Sequence, residues 1–455
     1  MKIKLFLLLV LFAIHSNTAI PQEKWSFRIS FGNNSIGPFN TLLYLEQNQN
    51  NFTMYSSKNG DKRIYGTVGA MLGRLKGISP KKGILLKLTD GTIKTISKDT
   101  DSLFGTFYSP LIGSKPFKGI REKATISGLL YEGTKQVISL EGHSVENDFA
   151  YNYEGLSSRI NDTTKKYIYN PELLTDKHWK KKIRKMQKFE KQALDDLEVL
   201  IYSMMAFRNL PFSHYGLHIT DKNQVARLMQ ATHNNVSFKE IDQNTALLKI
   251  SSFGGEKEEM DSVFQEISKH DFKNLIVDLR NNPGGGIDAG LAFGNHITDK
   301  EINVGYFVTN KWYSNATQRM ELESLPTSTA KTTDEFIAEL KKSEGKKLVC
   351  KPAGRQFRGN IYLLTDNNTG STCEPIVYAL KTNKIAKVIG GNTAGLMLSA
   401  TLINVKDNFW LFMPIADYYT PDKTRLDQIG VAPDFAVPTK EALDFTLKLI
   451  GAQGE

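Results

Sequence analysis

Ser26-Phe27-Arg28-Ile29-Ser30-Phe31 alternates polar and apolar residues, which puts the two kinds on opposite faces of a strand. From about Trp25 to about Gly142 the chain keeps this short-strand character. Asn59-Gly60 and Asp90-Gly91 read as hairpin turns, because Asn, Asp and Gly tolerate the positive φ that tight turns need. Ile84 to Leu88 and the segment after Gly91 are expected to form the two arms of one hairpin. Several short strands with this punctuation predict a β-sandwich or barrel-like domain over residues 23–145.

The period then changes. Trp179, Ile183, Met186, Phe189, Leu194, Leu197, Leu200 and Ile201 recur at near-helical spacing in a stretch that opens at Pro171 and stops at Pro211. This predicts a helical connector or cap over residues 165–235. From about residue 240 to 455 strand and helix patterns alternate. Ala246 to Phe253 is a predicted strand and Lys257 to His270 an amphipathic helix. Leu275-Ile276-Val277-Asp278-Leu279 and Ile361-Tyr362-Leu363-Leu364 are nearly all apolar, as in strands buried on both faces. Glu374 to Thr382 reads as a helix and Lys387-Val388-Ile389 as a strand. Ala400 to Val405 and Phe409 to Pro414 flank Asp407-Asn408 as a hairpin. The expected class is α/β (mixed α+β), a twisted sheet with helices against it, behind a helical connector and an N-terminal all-β domain.

The chain start departs from both periods. Lys2 and Lys4 precede an apolar run from Leu5 to Ile14, and a polar stretch ends at Asn17-Thr18-Ala19. That order reads as a signal peptide over residues 1–19, too short for a permanent anchor, and implies a periplasmic or secreted protein. No later segment is long and apolar enough for a transmembrane helix. The net charge is +10; removing residues 1–19 takes away two lysines and no acids, leaving +8. The excess gathers at Lys180, Lys181, Lys182, Arg184, Lys185 and Lys188, a run read as a solvated helix face. It lacks the aromatic context of a nucleic-acid site. The only cysteines, Cys350 and Cys373, are allowed to pair in an exported protein, but their spacing does not decide it.

Two stretches carry chemistry. In Asp278-Leu279-Arg280-Asn281-Asn282-Pro283-Gly284-Gly285-Gly286 a buried strand ends in a glycine turn whose backbone N–H groups a ligand can approach closely. A phosphate loop is disfavoured, because the Lys-Ser/Thr of a P-loop is missing. In Thr369-Gly370-Ser371-Thr372-Cys373-Glu374 a strand gives way to a helix. Ser371 there is either a reactive hydroxyl at a helix N-terminus or one half of a capping box with Glu374.

These stretches are followed by Val388-Ile389-Gly390-Gly391-Asn392-Thr393-Ala394-Gly395 and Gly430-Val431-Ala432-Pro433-Asp434. In order and type, over roughly residues 200 to 440, they resemble the C-terminal-processing peptidases. That group includes the tail-specific proteases, the tricorn protease core and the retinoid-binding-protein repeats. The resemblance implies a ClpP/crotonase-like sheet and a serine peptidase acting on peptides or unfolded proteins. Ser371 takes the nucleophile position, and Gly284 or Gly285 with the N–H of Thr372 forms the oxyanion hole. No metal or organic cofactor is implied.

The tail-specific branch places a Lys directly after its T-x-G stretch, where this chain has Leu396. The tricorn branch instead uses a Ser-His pair and a carboxylate before the G-V-x-P-D segment. Ser213-His214 and Asp427 match those places, making His214 the expected base, with Asp427 or Ser213 orienting it. The branch's carboxylate is a Glu, and here it is the shorter Asp. His218 is the rival base; in an extended segment it shares a face with His214. A His214–His218 metal pair finds no H-E-x-x-H context and no further ligand. Asp278, Arg280 and Asp434 read as structural. The stretch from Thr220 to Val236 is too short for the PDZ module of the tail-specific branch. The competing function, a non-catalytic peptide- or hydrophobic-ligand-binding protein, is one the retinoid-binding relatives show the fold allows.

Overall fold

The computed structural model describes residues 22–32, 37–56, 86–109, 112–175, 177–220, 234–354 and 356–453. The expected signal peptide, the Asn59-Gly60 turn and Ile84-Leu85 lie outside them. So does most of the stretch between Thr220 and Val236. The chain divides into two compact units: residues up to 153 together with 189–202, and residues 154–188 together with 203 onward.

In the first unit eight antiparallel strands close into a barrel, β1 (Gln22–Phe31), β2 (Phe39–Asn48), β3 (Asn51–Tyr55), β4 (Lys87–Ser97), β5 (Thr100–Ser109), β6 (Gly113–Glu122), β7 (Thr125–Glu132) and β8 (Lys135–Val145). β8 pairs back onto β1, so no edge is left open. Trp25, Phe27, Phe52, Phe107 and Phe117 are buried in its core. The ring of Phe27 lies so close over Gly142 that a Cβ there would sit 2.4 Å from it.

Asp90-Gly91 is not the hairpin expected. β4 runs straight through it, and pairing with β5 jumps from Thr89 to Thr92. Asp90 has φ 53°, and a Cβ on Gly91 would meet the Phe52 carbonyl at 2.3 Å. The same positive-φ tolerance that makes a turn here makes a bulge. The reversal falls at Lys98-Asp99 instead.

The helical stretch is also not one connector. It contains a short 3₁₀ turn at Pro171–Leu174 and two helices, Lys177–Glu190 and Asp196–Ala206. Residues 189–202 pack with the barrel. Asp195 accepts from Leu42 N (2.9 Å) and Thr41 Oγ1 (3.1 Å), and Asp196 accepts from Asn40 N (2.8 Å) and Tyr153 OH (2.7 Å). Asp195 also accepts from Glu198 N (3.0 Å), capping the helix that starts at Asp196, and both carboxylates cover β2, whose Leu42 to Leu45 are buried on both faces. A helix, Leu156–Tyr167, precedes the stretch and was not anticipated.

The second unit holds two sheets. The larger has the order β10 (Val236–Asp242), β11 (Thr245–Ile250), β12 (Asn274–Asp278), β15 (Asn360–Thr365), β16 (Ala386–Gly390), β19 (Phe435–Ala436). It is parallel except for β10. β12 and β15 lie at its centre, which is why their sequences are continuous apolar runs. Helices Lys257–Ile267, Ile287–Ile297 and Cys373–Thr382 supply apolar side chains to the core on one face. Helix Ala442–Gln453 packs on the other, over Ile276, Tyr362, Leu364 and Ile389.

The second sheet runs β14 (Gly345–Cys350), β13 (Ile302–Thr309), β18 (Phe409–Tyr419), β17 (Ser399–Lys406), with β9 (Gly216–Ile219) also on β18. The Asp407-Asn408 hairpin forms where expected, Asp407 taking φ 46°. Its strands belong to this second sheet and not to the main one, because β18 pairs with β13 near its end and with β9 near its start. The two sheets and their helices make a mixed α/β unit. Cys350 and Cys373 are buried and unpaired; burial pushes the Cys350 thiol up to about 12. Among the described residues no helix is long and apolar enough to cross a membrane.

Candidate active site

The C-terminal ends of β12 and β15 lie side by side, so the loops that follow them meet. After β12, Asn282 is fully buried. Its side chain donates to Ile250 O (3.0 Å) and accepts from Gly284 N (2.9 Å), and its carbonyl accepts from Gly370 N (3.0 Å). One asparagine thus ties the glycine loop to the turn after β15. Thr369 adds a second tie, its hydroxyl donating to Leu279 O (2.8 Å). Both roles escaped the sequence reading, which saw only turn composition.

Ser371 sits at φ 52°, in the left-handed region that costs a non-glycine residue about 1–2 kcal/mol. Two contacts hold it there: its N–H donates to Glu374 Oε2 (3.2 Å), and its carbonyl accepts from Glu374 N (2.8 Å). The helix N-cap is Thr372, with no side-chain cap bond. The backbone half of a capping box is therefore present, while the Ser371 hydroxyl has no hydrogen-bond partner among the described residues. It stands at the N-terminal, positive end of helix Cys373–Thr382.

Gly284 packs against this turn. Its φ is 100°, and a Cβ would lie 2.6 Å from Ser371 Cβ and 2.9 Å from Thr372 N. Its N–H is already committed to Asn282, which removes it from the candidate oxyanion donors. The N–H groups of Gly285 and Thr372 have no hydrogen-bond partner among the described residues, and Gly285 is exposed. The Thr372 hydroxyl donates to Gly285 O (2.6 Å) and clamps the two segments together.

His214 lies in a tight bend before β9, at φ 57°, so the extended segment that would align it with His218 does not exist. Phe212, buried edge-on against Tyr169 and Tyr215, anchors the bend. The Ser213 hydroxyl lies 2.7 Å from His214 Nδ1 and donates to Asp427 Oδ1 at 2.5 Å. A carboxylate only accepts, so the Ser213 proton belongs to Asp427 and its oxygen accepts from His214 Nδ1–H. That leaves Nε2 with a lone pair. Asp427 is buried, and it also accepts from Ser213 N (3.3 Å) and Met397 N (3.3 Å). The sequence left Asp427 and Ser213 as alternatives; the geometry uses both in series. Burial holds His214 below the usual histidine range, and the nearby Asp427 charge partly offsets this.

Ser371 and His214 both line a pocket of about 370 Å³ whose walls are largely apolar, among them Leu291, Phe307, Phe336, Ile376 and Met397. Phe412 of β18 lies beside the imidazole, centroids 5.7 Å apart. His218 does not line the pocket; it sits on β9 opposite Trp410. Among the described residues no lysine lines it either. Leu396 has its N–H bound to Glu374 Oε2 (2.8 Å) and its side chain about half exposed. Glu374 is fully buried and also accepts from Thr393 Oγ1 (2.6 Å) and Gly395 N (2.7 Å). Asp278 pairs with Arg280 at 2.7 Å, while Asp434 accepts from Val388 N and pairs with Lys381, all structural contacts. Among the described residues no group of His, Cys, Asp and Glu could hold a metal ion.

The model of peptidase family S41 matches residues 244–437. The chloroplast carboxyl-terminal-processing peptidase 3 of Arabidopsis thaliana is 23% identical over 207 residues, which cover 45% of this chain and 34% of that protein. The carboxyl-terminal-processing protease of a Picosynechococcus strain is 22% identical over 226 residues, 48% of this chain and 47% of the relative. The match therefore spans a third to a half of these relatives. A lipoprotein structure from Streptococcus agalactiae overlays with TM-score 0.48 at 14% identity, covering 68% of this chain and 99% of that one, too loosely to bear on function. Residues 244–437 thus match the model of peptidase family S41, and part of the chain is similar to the carboxyl-terminal-processing proteases.

Proposed function

We propose that the protein is an exported serine endopeptidase with Ser371 as nucleophile and His214 as general base. The observation that carries this reading is the Asp427–Ser213–His214 hydrogen-bond series, which ends at the pocket that Ser371 also lines. Ser371 Oγ attacks the scissile carbonyl carbon while His214 Nε2 takes its proton. The imidazolium is then balanced through Ser213 by the Asp427 carboxylate. The N–H groups of Gly285 and Thr372 receive the tetrahedral oxyanion. Collapse breaks the C–N bond, His214 returns the proton to the leaving amine, and water attacks the acyl-enzyme by the same route. Ser213 and Asp427 are positioning residues for the base. The expected leader at residues 1–19 supports export, with removal near Ala19.

The apolar pocket beside Ser371 gives the enzyme its first selectivity. Its volume suits one bulky apolar side chain, and a charged side chain would lose its hydration there without a partner. Quenched-fluorescent peptides differing only at the residue before the scissile bond are expected to rank Leu and Phe about 100-fold above Asp or Lys in kcat/KM. A flat ranking would remove the pocket from the substrate path. If none of the peptides is hydrolysed, the binding-protein reading takes over.

We also propose that the enzyme does not read a free carboxyl terminus. Only thirteen residues, 221–233, separate the described β9 region from the strand region of the larger sheet. Capture of a chain end by a domain of the PDZ kind needs a folded groove. A peptide and its C-terminal amide are expected to show kcat/KM values within about twofold at moderate salt, where exposed charges are screened. A large loss on amidation would point to a tail-reading element elsewhere in the chain.

A further inference from the structure

Next to the candidate active site lies a second concavity of about 830 Å³, different in character. His178, Lys181, Lys182 and Lys185 enter it from helix Lys177–Glu190, and Arg208 and Gln428 line it from the opposite loops. Among the described residues no carboxylate lines it. Lys181, Lys185 and Arg208 are exposed and form no ion pair among the described residues. Lys182 is held in place, its ammonium donating to Ala206 O (2.8 Å) and Arg208 O (2.7 Å). Burial and Lys185 together lower its pKa, as expected where positive charges crowd without counter-charge.

The position is as telling as the charge. Pro211 lines this cleft, and three residues later comes His214. Gln428 lines it too, directly after Asp427, and its side chain reaches toward Leu210 O (3.5 Å). Three chain steps span at most about 11 Å, so the basic cleft begins within that distance of the proposed base. An extended peptide advances about 3.3 Å per residue, which makes the separation about three to four residues of substrate.

Resting on the peptidase reading, we propose that this cleft receives an acidic stretch of the substrate polypeptide, centred about three to five residues from the scissile bond. The sequence reading of these lysines as a plain solvated helix face then gives way to a substrate subsite. A concave site with converging ammonium and guanidinium groups suits carboxylate side chains on a flexible strand. Such charge complementarity raises the encounter rate as well as the affinity.

The test uses the full chain and pairs of peptides with one apolar residue before the scissile bond. One member carries Glu at the third to fifth positions, on either side in turn, and the other carries Gln. The acidic member on one side is expected to gain about tenfold in kcat/KM at low salt, and to lose most of that gain at about 0.5 M salt. In the variant Lys181→Gln/Lys185→Gln/Arg208→Gln the gain should vanish, while the Gln peptide is cleaved as by the parent. Equal rates for both members, or a gain that survives in the variant, overturns the proposal. Binding of the same peptides, fluorescently labelled, to Ser371→Ala separates this inference from the catalytic one. If neither peptide is cleaved but the acidic one binds more tightly through the three basic residues, the subsite stands and the peptidase reading falls. Equal binding there overturns the subsite.

Discussion

Ser371→Ala is expected to remove peptide hydrolysis, with a fall of roughly 10⁴–10⁶ in kcat, and to abolish labelling by a fluorophosphonate. The substitution deletes one oxygen that has no hydrogen-bond partner among the described residues, so the fold loses almost nothing. The left-handed φ of 52° is unchanged, because alanine keeps the same Cβ. The two backbone bonds to Glu374 that hold the turn are made by main-chain atoms and persist. Thermal unfolding of the variant should therefore match the parent within about 1 kcal/mol. Equal labelling of parent and variant would sink the assignment of the nucleophile.

His214→Asn is expected to be nearly as damaging, and not additive with Ser371→Ala, because nucleophile and base act as one unit. Asparagine is the informative replacement, since it tolerates the φ of 57° at this bend and leaves the Phe212 anchor undisturbed. The parent's pH profile carries the sharper test. The base works only when neutral, and burial keeps His214 below its ordinary value near 6.5. The acid limb of kcat/KM is thus expected to have its midpoint below about pH 6.5. Asp427 acts in the opposite sense, drawing the imidazole pKa upward. Asp427→Asn should therefore shift the acid limb to still lower pH while kcat drops by about 100-fold, as the negative charge is lost and the amide has one accepting oxygen where the carboxylate uses two. A midpoint above pH 7 in the parent, or an acid limb that rises in Asp427→Asn, would show that another group is the base.

The parts of this molecule legible in the sequence are those where local pattern and buried environment agree. β12 and β15 are apolar through their centres because both faces are covered, and the glycine loop and serine turn that follow them meet in space. The barrel was legible as strands of either a sandwich or a barrel, with the choice between them left open. Asp90-Gly91 shows why: a residue pair that permits positive φ does not specify whether the chain reverses or bulges, and only the partner strands decide. The interruption of the helical stretch at residues 191–195 was hidden for a related reason. Leu194 and Leu197 keep the apolar spacing, but Asp195 and Asp196 turn to the backbone of β2, contacts 153 and 156 residues distant in sequence. Within the candidate site, Ser213, His214 and Asp427 were proposed from the resemblance. Their arrangement in series was not, since it depends on which hydroxyl lone pair faces which partner. Asn282 and Thr369 went unseen because their work is done by single bonds to distant main-chain atoms.

Glu374 has a consequence for what this chain can become. Its carboxylate fixes the main chain of residues 393–396 through Thr393, Gly395 and Leu396, and asks nothing of the Leu396 side chain. Shape and chemistry are uncoupled at that position: the loop is drawn by a neighbour, and the side chain is free to drift. Such a site can pass through many residue types without ever presenting an unfolded intermediate. A side chain with a titratable group could therefore stand at position 396 without any redesign of the loop.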